Sequence, residues 1–130
     1  KNIIITFFSN VNHLNTSLQL TLFNQILQNF VQNAIKFTPN EKSIAIRLKK
    51  TKEKIIITVT DEGIGIPENV DLFAPFKRIG NQSGVGLGLF LAKNAADALR
   101  AKITLVNRDD QKSGCVAKLI LRSNTSKDII

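Results

Sequence analysis

The chain has 130 residues, 43% of them hydrophobic and 22% charged, and a formal net charge of +8. That length supports one domain, and domains of this size bury roughly two-thirds of their chain surface. No apolar stretch approaches the ~20 residues needed to span a bilayer, no secretory signal is visible, and a single cysteine, Cys115, excludes an internal disulfide and any cysteine-rich metal site.

The chain lacks a starting Met and begins close to a strand, so it is expected to be a fragment of a longer protein. Residues 3–8 read as that strand, and residues 10–16 as a polar loop. Ser17 is a candidate N-cap for a long helix that runs to about Phe37 and stops before the breaker Pro39-Asn40. Residues 43–48 alternate apolar and polar side chains, as a half-buried strand does. Residues 51–54 form a turn into a second run, 55–60, and the pair reads as a hairpin. Residues 68–83 are an irregular polar connection with one apolar island, Leu72-Phe73-Ala74-Pro75-Phe76. A helix is expected from Gly86 to about Leu99, then strands at 102–107 and 115–121 joined by the polar turn 108–114. Helices combined with antiparallel pairs predict a two-layer α+β sandwich, not alternating βαβ units. Residues 1–122 are expected to form the domain and residues 123–130 a frayed tail.

The basic residues are densest between Lys36 and Lys54. Such a run reads as a nucleic-acid patch or as a solvated strand–turn–strand. Tyr and Trp are absent, and the Phe residues sit mostly in apolar stretches. The bases of a nucleic acid would have little to stack on, and no nucleic-acid partner is expected.

The long helix sorts into two faces. Leu22, Ile26, Phe30 and Ala34, with Leu27, Val31 and Ile35, form a wide apolar side. Gln25, Gln28, Asn29, Gln32, Asn33 and Lys36 recur at three- and four-residue spacing on the other. This stripe is nearly all amides, and Asn is a poor helix former. Asn29 and Asn33 lie one turn apart and point the same way. Their carbonyl oxygens suit a hard cation such as Mg²⁺, and Lys36, one turn further, suits a phosphate. The alternative is an amide-rich surface stripe with no ligand.

Six of the seven glycines fall between residues 63 and 88. The first cluster, Asp61-Glu62-Gly63-Ile64-Gly65-Ile66-Pro67, follows the hairpin strand. Its carboxylate can accept a hydrogen bond from an exocyclic amine such as that of adenine, with glycine backbone close to a flat base. It can equally be a turn with Asp as a turn residue. The second cluster, Gly84-Val85-Gly86-Leu87-Gly88-Leu89, lacks the spacing and the preceding strand of a dinucleotide fingerprint, and lacks the Gly-Lys-Ser/Thr of a P-loop. It still opens a helix, whose N-terminus can hold phosphates. Residues 79–83 before it are polar and glycine-bearing, as a mobile lid would be.

Taken together and in this order, these signals are specific. The chain resembles the catalytic ATP-binding domain of sensor histidine kinases, in the wider GHKL group with gyrase-type, mismatch-repair and heat-shock chaperone ATPases. Residues 29–39, from Asn29 through Asn33, Lys36 and Phe37 to Pro39, resemble the family's N box. Residues 61–65 resemble its G1 box, 72–78 its F box and 84–89 its G2 box. The resemblance runs from about residue 20 to 121. It implies a Bergerat-type sandwich, with a mixed, mostly antiparallel sheet on about three helices and an ATP lid. It also implies ATP and Mg²⁺ as cofactors.

The resemblance distributes the site as follows. Asn33 would coordinate Mg²⁺, Lys36 would approach the phosphates, and Phe37 would pack near the adenine. Asp61 would bind the adenine amine, with Gly63, Gly65 and Ile66 around the base. Gly84, Val85, Gly86, Leu87, Gly88 and Leu89 would wrap the phosphates. Phe73 and Phe76 would anchor the lid, and Arg78 would reach the terminal phosphates. Asn29, Lys36 and Arg78 take the catalytic positions. Asn29 stands where the hydrolysing members carry a Glu that activates water. An amide has no useful basicity, so the implied activity is phosphoryl transfer to a histidine. An ATPase module driving conformational change is the alternative.

The sequence departs from the pattern in places. His13 is the only histidine and no acidic residue follows it, so the acceptor is expected on a dimerisation (histidine-phosphotransfer) domain of the same protein, with a response regulator as the further partner. The chain alone is expected to bind ATP without autophosphorylation. The parent is expected in the cytoplasm, with any inner-membrane anchor in its N-terminal part. The stretch between Pro67 and Gly84 is short for a lid, Lys77 replaces an aromatic, and Cys115 stands where many relatives carry Thr.

Overall fold

A computed structural model of the chain describes residues 2–11, 20–66, 73–74 and 88–122. Within them lie five strands and two helices: β1 (Ile4–Ser9), α1 (Leu20–Phe37), β2 (Ser43–Lys50), β3 (Lys54–Thr60), α2 (Gly88–Ala98), β4 (Lys102–Asn107) and β5 (Cys115–Arg122). Each of these elements lies within two or three residues of where the sequence places it. Ser17, the expected N-cap, lies outside the described residues, as do His13 and the tail.

The strands form one sheet in the order β1-β2-β3-β5-β4. β1 runs parallel to β2, with Ile4 opposite Ser43 and Phe8 opposite Arg47. The other three pairings are antiparallel. The sheet is therefore mixed and mostly antiparallel, as expected. The parallel pair needs a crossover, which α1 supplies.

The alternation seen in the sequence decides which face is covered. Ile44 on β2, Ile55, Ile57 and Val59 on β3, Ile103 on β4, and Ala117, Leu119 and Leu121 on β5 are buried beneath the helices. From above, α1 contributes Ile26, Phe30 and Ala34, and α2 contributes Ala92, Ala95 and Ala96. The alanine side of α2 lets the two helices lie close together. A helix pair on one face of the sheet makes the two-layer α+β sandwich.

Two details of the chain's path bear on the site. β3 ends at Thr60 and releases the loop 61–66 directly beneath the C-terminal end of α1. The strand order inserts β5 between β3 and β4, so the turn 108–114 that opens β5 lies beside that same loop. Backbone bonds fix this proximity: the Asp61 amide donates to the Cys115 carbonyl at 3.0 Å, and the Arg108 amide donates to the Gly114 carbonyl at 3.0 Å.

Candidate functional site

A narrow cavity opens between the end of α1, the loop after β3 and the start of α2. Phe30, Asn33, Ala34 and Phe37 of α1 line one side. Val59, Asp61 and Ile66 line the floor and rim. Leu105, Cys115 and Ala117 come from β4 and β5, and Leu89 from the first turn of α2. The wall is apolar with two polar exceptions, Asn33 and Asp61. That is the usual make-up of a small-molecule site, in which a few placed polar groups fix orientation.

Asp61 is 6% exposed. A carboxylate so deep requires partners, and its Oδ1 receives two backbone amides, Gly63 N at 2.8 Å and Cys115 N at 3.0 Å. Both donors hold the same oxygen, which fixes the orientation of the group at the cavity floor. The Cys115 thiol also hydrogen-bonds to this carboxylate. Burial, the Asp61 charge and that bond together push the thiol up to about 12. Cys115 is therefore a neutral, inert wall residue at any ordinary pH.

The loop that carries Asp61 is held on both sides. Toward β2, the Glu62 carboxylate accepts from the Ser43 amide at 2.7 Å and the Ser43 hydroxyl at 2.9 Å. These bonds, with Lys42 and Arg108 nearby, hold its carboxyl below the usual carboxylate range. Toward β5, Asn107 accepts from the Ile66 amide at 2.6 Å and donates to the Ile66 carbonyl at 3.1 Å. Arg108 donates to the Asp61 carbonyl at 3.0 Å, and Ser113 donates to the Gly63 carbonyl.

The glycines expected to approach a base serve packing within the protein first. A Cβ at Gly63 would stand 2.8 Å from the Phe37 carbonyl oxygen, so this residue lets the loop pass under the end of α1. Gly114, the one glycine outside the 63–88 stretch, has φ of +135° and would place a Cβ 2.1 Å from the Asp61 carbonyl oxygen. It makes the close approach of β5 to the loop possible.

The structure thus brings Asn33, Phe37, Asp61, Ile66 and Leu89 to one cavity, with Gly63 and Gly65 in its wall loop. Asn33 is half-buried and its side chain makes no hydrogen bond among the described residues, which leaves its amide oxygen available to a ligand. Among the described residues no three His, Cys, Asp or Glu side chains gather into a metal cage. The donor available is a neutral oxygen, which suits a cation that brings its own water and phosphate ligands. Lys36 sits exposed in the last turn of α1. Asn29 does not line the cavity. Its Nδ2 donates to the Gln25 carbonyl at 2.9 Å, and its Oδ1 lies 2.9 Å from where a Cβ on Gly88 would stand, against the start of α2. Phe76, Arg78, Gly84, Val85, Gly86 and Leu87 lie outside the described residues, as does the lid as a whole apart from residues 73 and 74.

Sequence reasoning did not find Asn107, Arg108, Ser113 and Gly114. Each sits in or beside a polar turn of ordinary composition, and its role follows from the strand order, which adjacent residues do not reveal. A possible signal was Gly114 standing immediately before a strand.

Residues 19–125 match the family model described as histidine kinase-, DNA gyrase B-, and HSP90-like ATPase. The sensor protein KdpD of Mycobacterium tuberculosis is 34% identical over 88 residues, covering 64% of this chain and 10% of that protein. The sensor protein CreC of Escherichia coli (strain K12) is 30% identical over 122 residues, covering 90% of this chain and 25% of that protein. The chain therefore spans only a small part of the curated relatives it matches. The solved catalytic domain of histidine kinase ThkA superposes with a TM-score of 0.81 at 29% identity, covering 95% of this chain and 82% of that one. Family model, relatives and fold agree: the chain belongs to the histidine kinase-, DNA gyrase B- and HSP90-like ATPase family, and within it to the catalytic domains of sensor histidine kinases.

Proposed function

We propose that this domain binds Mg-ATP and delivers its γ-phosphoryl group to a histidine on a separate dimerisation domain of its parent protein. The observation that carries the reading is the cavity itself. Three separated stretches of chain, around Asn33, Asp61 and Leu89, converge on one apolar slot whose deepest polar group is an anchored carboxylate. Such a slot suits a flat heteroaromatic ring with one amine at its end. The adenine amine would donate to Asp61, and the ring would lie among Phe37, Ile66, Val59 and Ala117. The phosphates would extend toward the start of α2, where free N–H groups and the helix dipole favour negative charge. Asn33 and Lys36 lie along that path on α1. Mg²⁺, held by Asn33 and the phosphates, would neutralise charge on the phosphoryl group.

The chain's own contribution is positioning and electrostatics, which carry most of the catalysis in phosphoryl transfer. A histidine nitrogen attacks the γ-phosphorus with its lone pair as the bond to the ADP oxygen breaks. No base on this domain is required. Asn29 supports this division of labour: its amide is engaged with the helix backbone and cannot take a proton from water. The acceptor histidine would reside on the dimerisation domain and pass its phosphoryl group to a response regulator. Solved ThkA in complex with the response regulator TrrA, similar at 27% identity, is a precedent for that partner in a relative.

Titration of the chain with a fluorescent ATP analogue, with and without Mg²⁺, tests the reading. Binding in the micromolar range is expected, and Asp61→Asn is expected to weaken it at least tenfold, because an amide NH₂ faces the adenine amine and the Gly63 and Cys115 amides lose their charged acceptor. Absence of binding at high micromolar concentration overturns the nucleotide reading. Sustained ATP hydrolysis by the chain alone overturns the kinase assignment in favour of an ATPase module.

A further inference from the structure

We propose that the end of β4 and the turn that follows it, through Asn107 and Arg108, position the wall of the adenine slot and thereby set its selectivity for the base. The inference rests on the nucleotide reading above and adds two residues that do not touch the nucleotide.

The loop 61–66 belongs to no strand or helix, so its backbone polar groups must find partners elsewhere. They find them on the end of β4 and the turn after it. Asn107 takes both the N–H and the C=O of Ile66, at 2.6 and 3.1 Å, as a paired strand would. Arg108 Nη1 takes the carbonyl of Asp61 at 3.0 Å. The guanidinium is itself fixed by two bonds to Asp110, Nε to Oδ1 at 3.1 Å and Nη2 to Oδ2 at 2.6 Å. Such bidentate pairs hold a guanidinium in one orientation.

The two loop residues gripped in this way are the ones at either end of the slot wall. Asp61 and Ile66 both line the cavity, and Asn107 and Arg108 do not. Reading a base by a single amine–carboxylate hydrogen bond requires the carboxylate to be placed within a few tenths of an ångström. The turn supplies that placement from outside the site. Asn107 is exposed; the Arg108 side chain is 13% exposed, but it packs against the turn and, like Asn107, does not belong to the hydrophobic core. Removing either leaves the packing of the sandwich intact, so loss of recognition is separable from loss of fold.

The test is calorimetric titration of the 130-residue chain with Mg-ATP and, separately, with Mg-tripolyphosphate, which has no base. Asn107→Ala and Arg108→Ala are each expected to raise the Kd for ATP about tenfold and to leave that for tripolyphosphate within about twofold. Arg108→Lys, which keeps one donor for the Asp61 carbonyl, is expected to recover most of the loss. In Asn107→Ala the Ile66 amide is expected to exchange with solvent faster, a readout independent of any nucleotide. ATP affinity unchanged in both alanine variants overturns the proposal, as does an equal loss for ATP and tripolyphosphate. Failure of the underlying reading is visible earlier: an unaltered chain with no preference for ATP over tripolyphosphate has no adenine site, and both proposals fall together.

Discussion

Asp61 and Cys115 sit together at the floor of the slot, and the protonation of the thiol has a measurable consequence. The buried thiol keeps its proton up to about 12, whereas an ordinary cysteine thiol ionises near 9.0. Folding therefore favours the protonated thiol. That contribution is fully present below about pH 9 and is lost as pH rises from there through about 12. Between pH 8 and pH 10.5 the urea midpoint should fall more for the native chain than for Cys115→Ala, in which the thiol is gone. At pH 8.5, iodoacetamide should label Cys115 slowly in the folded chain and readily in urea, because the thiolate is the nucleophile. From the sequence, Cys115 showed only as the single cysteine, on the last expected strand, where many relatives carry Thr. Its hydrogen bond to Asp61 was not legible, because 54 positions separate the two residues.

The elements were legible to the extent that their periodicity was. α1 shows its buried side as Ile26, Phe30 and Ala34 in four-residue steps, and the structure buries those three. β3 and β5 bury every second residue. β1 was legible as a strand but not in its setting: all six of its residues are exposed, because it lies at the end of the sheet, and strand composition says nothing about neighbours. The end of α2 was also only approximate. Arg100 adopts a left-handed φ of 58°, and the Ala101 amide returns to the Ala96 carbonyl at 2.8 Å, closing the helix with the bond pattern that usually employs glycine. An arginine there carries strain of order 1 kcal/mol. Arg100→Gly removes that strain at an exposed position. It is expected to raise the melting temperature by a few degrees, measured by circular dichroism, with nucleotide affinity unchanged.

For the molecule as a whole, the four boxes in the sequence were enough to point to a family, and the family model, the relatives and the fold agree with them. The boxes did not reveal how the slot closes, because that depends on the order of strands in the sheet. β5, the last of the described strands, inserts between β3 and β4 and brings Cys115, Ala117, Gly114 and the turn against a loop more than forty residues earlier. This has a consequence for a chain emerging from the ribosome. Every residue of the four family motifs has been synthesised by Leu89, yet the slot then lacks its far wall and Asp61 lacks one of its two amide donors. A chain truncated after residue 101 retains all the motifs and is expected to show no ATP-analogue fluorescence change, whereas one extended to residue 122 binds. On the proposed reading, the capacity to hold nucleotide is expected only once β5 has inserted between β3 and β4, so that during synthesis ATP would meet either a finished domain or none at all.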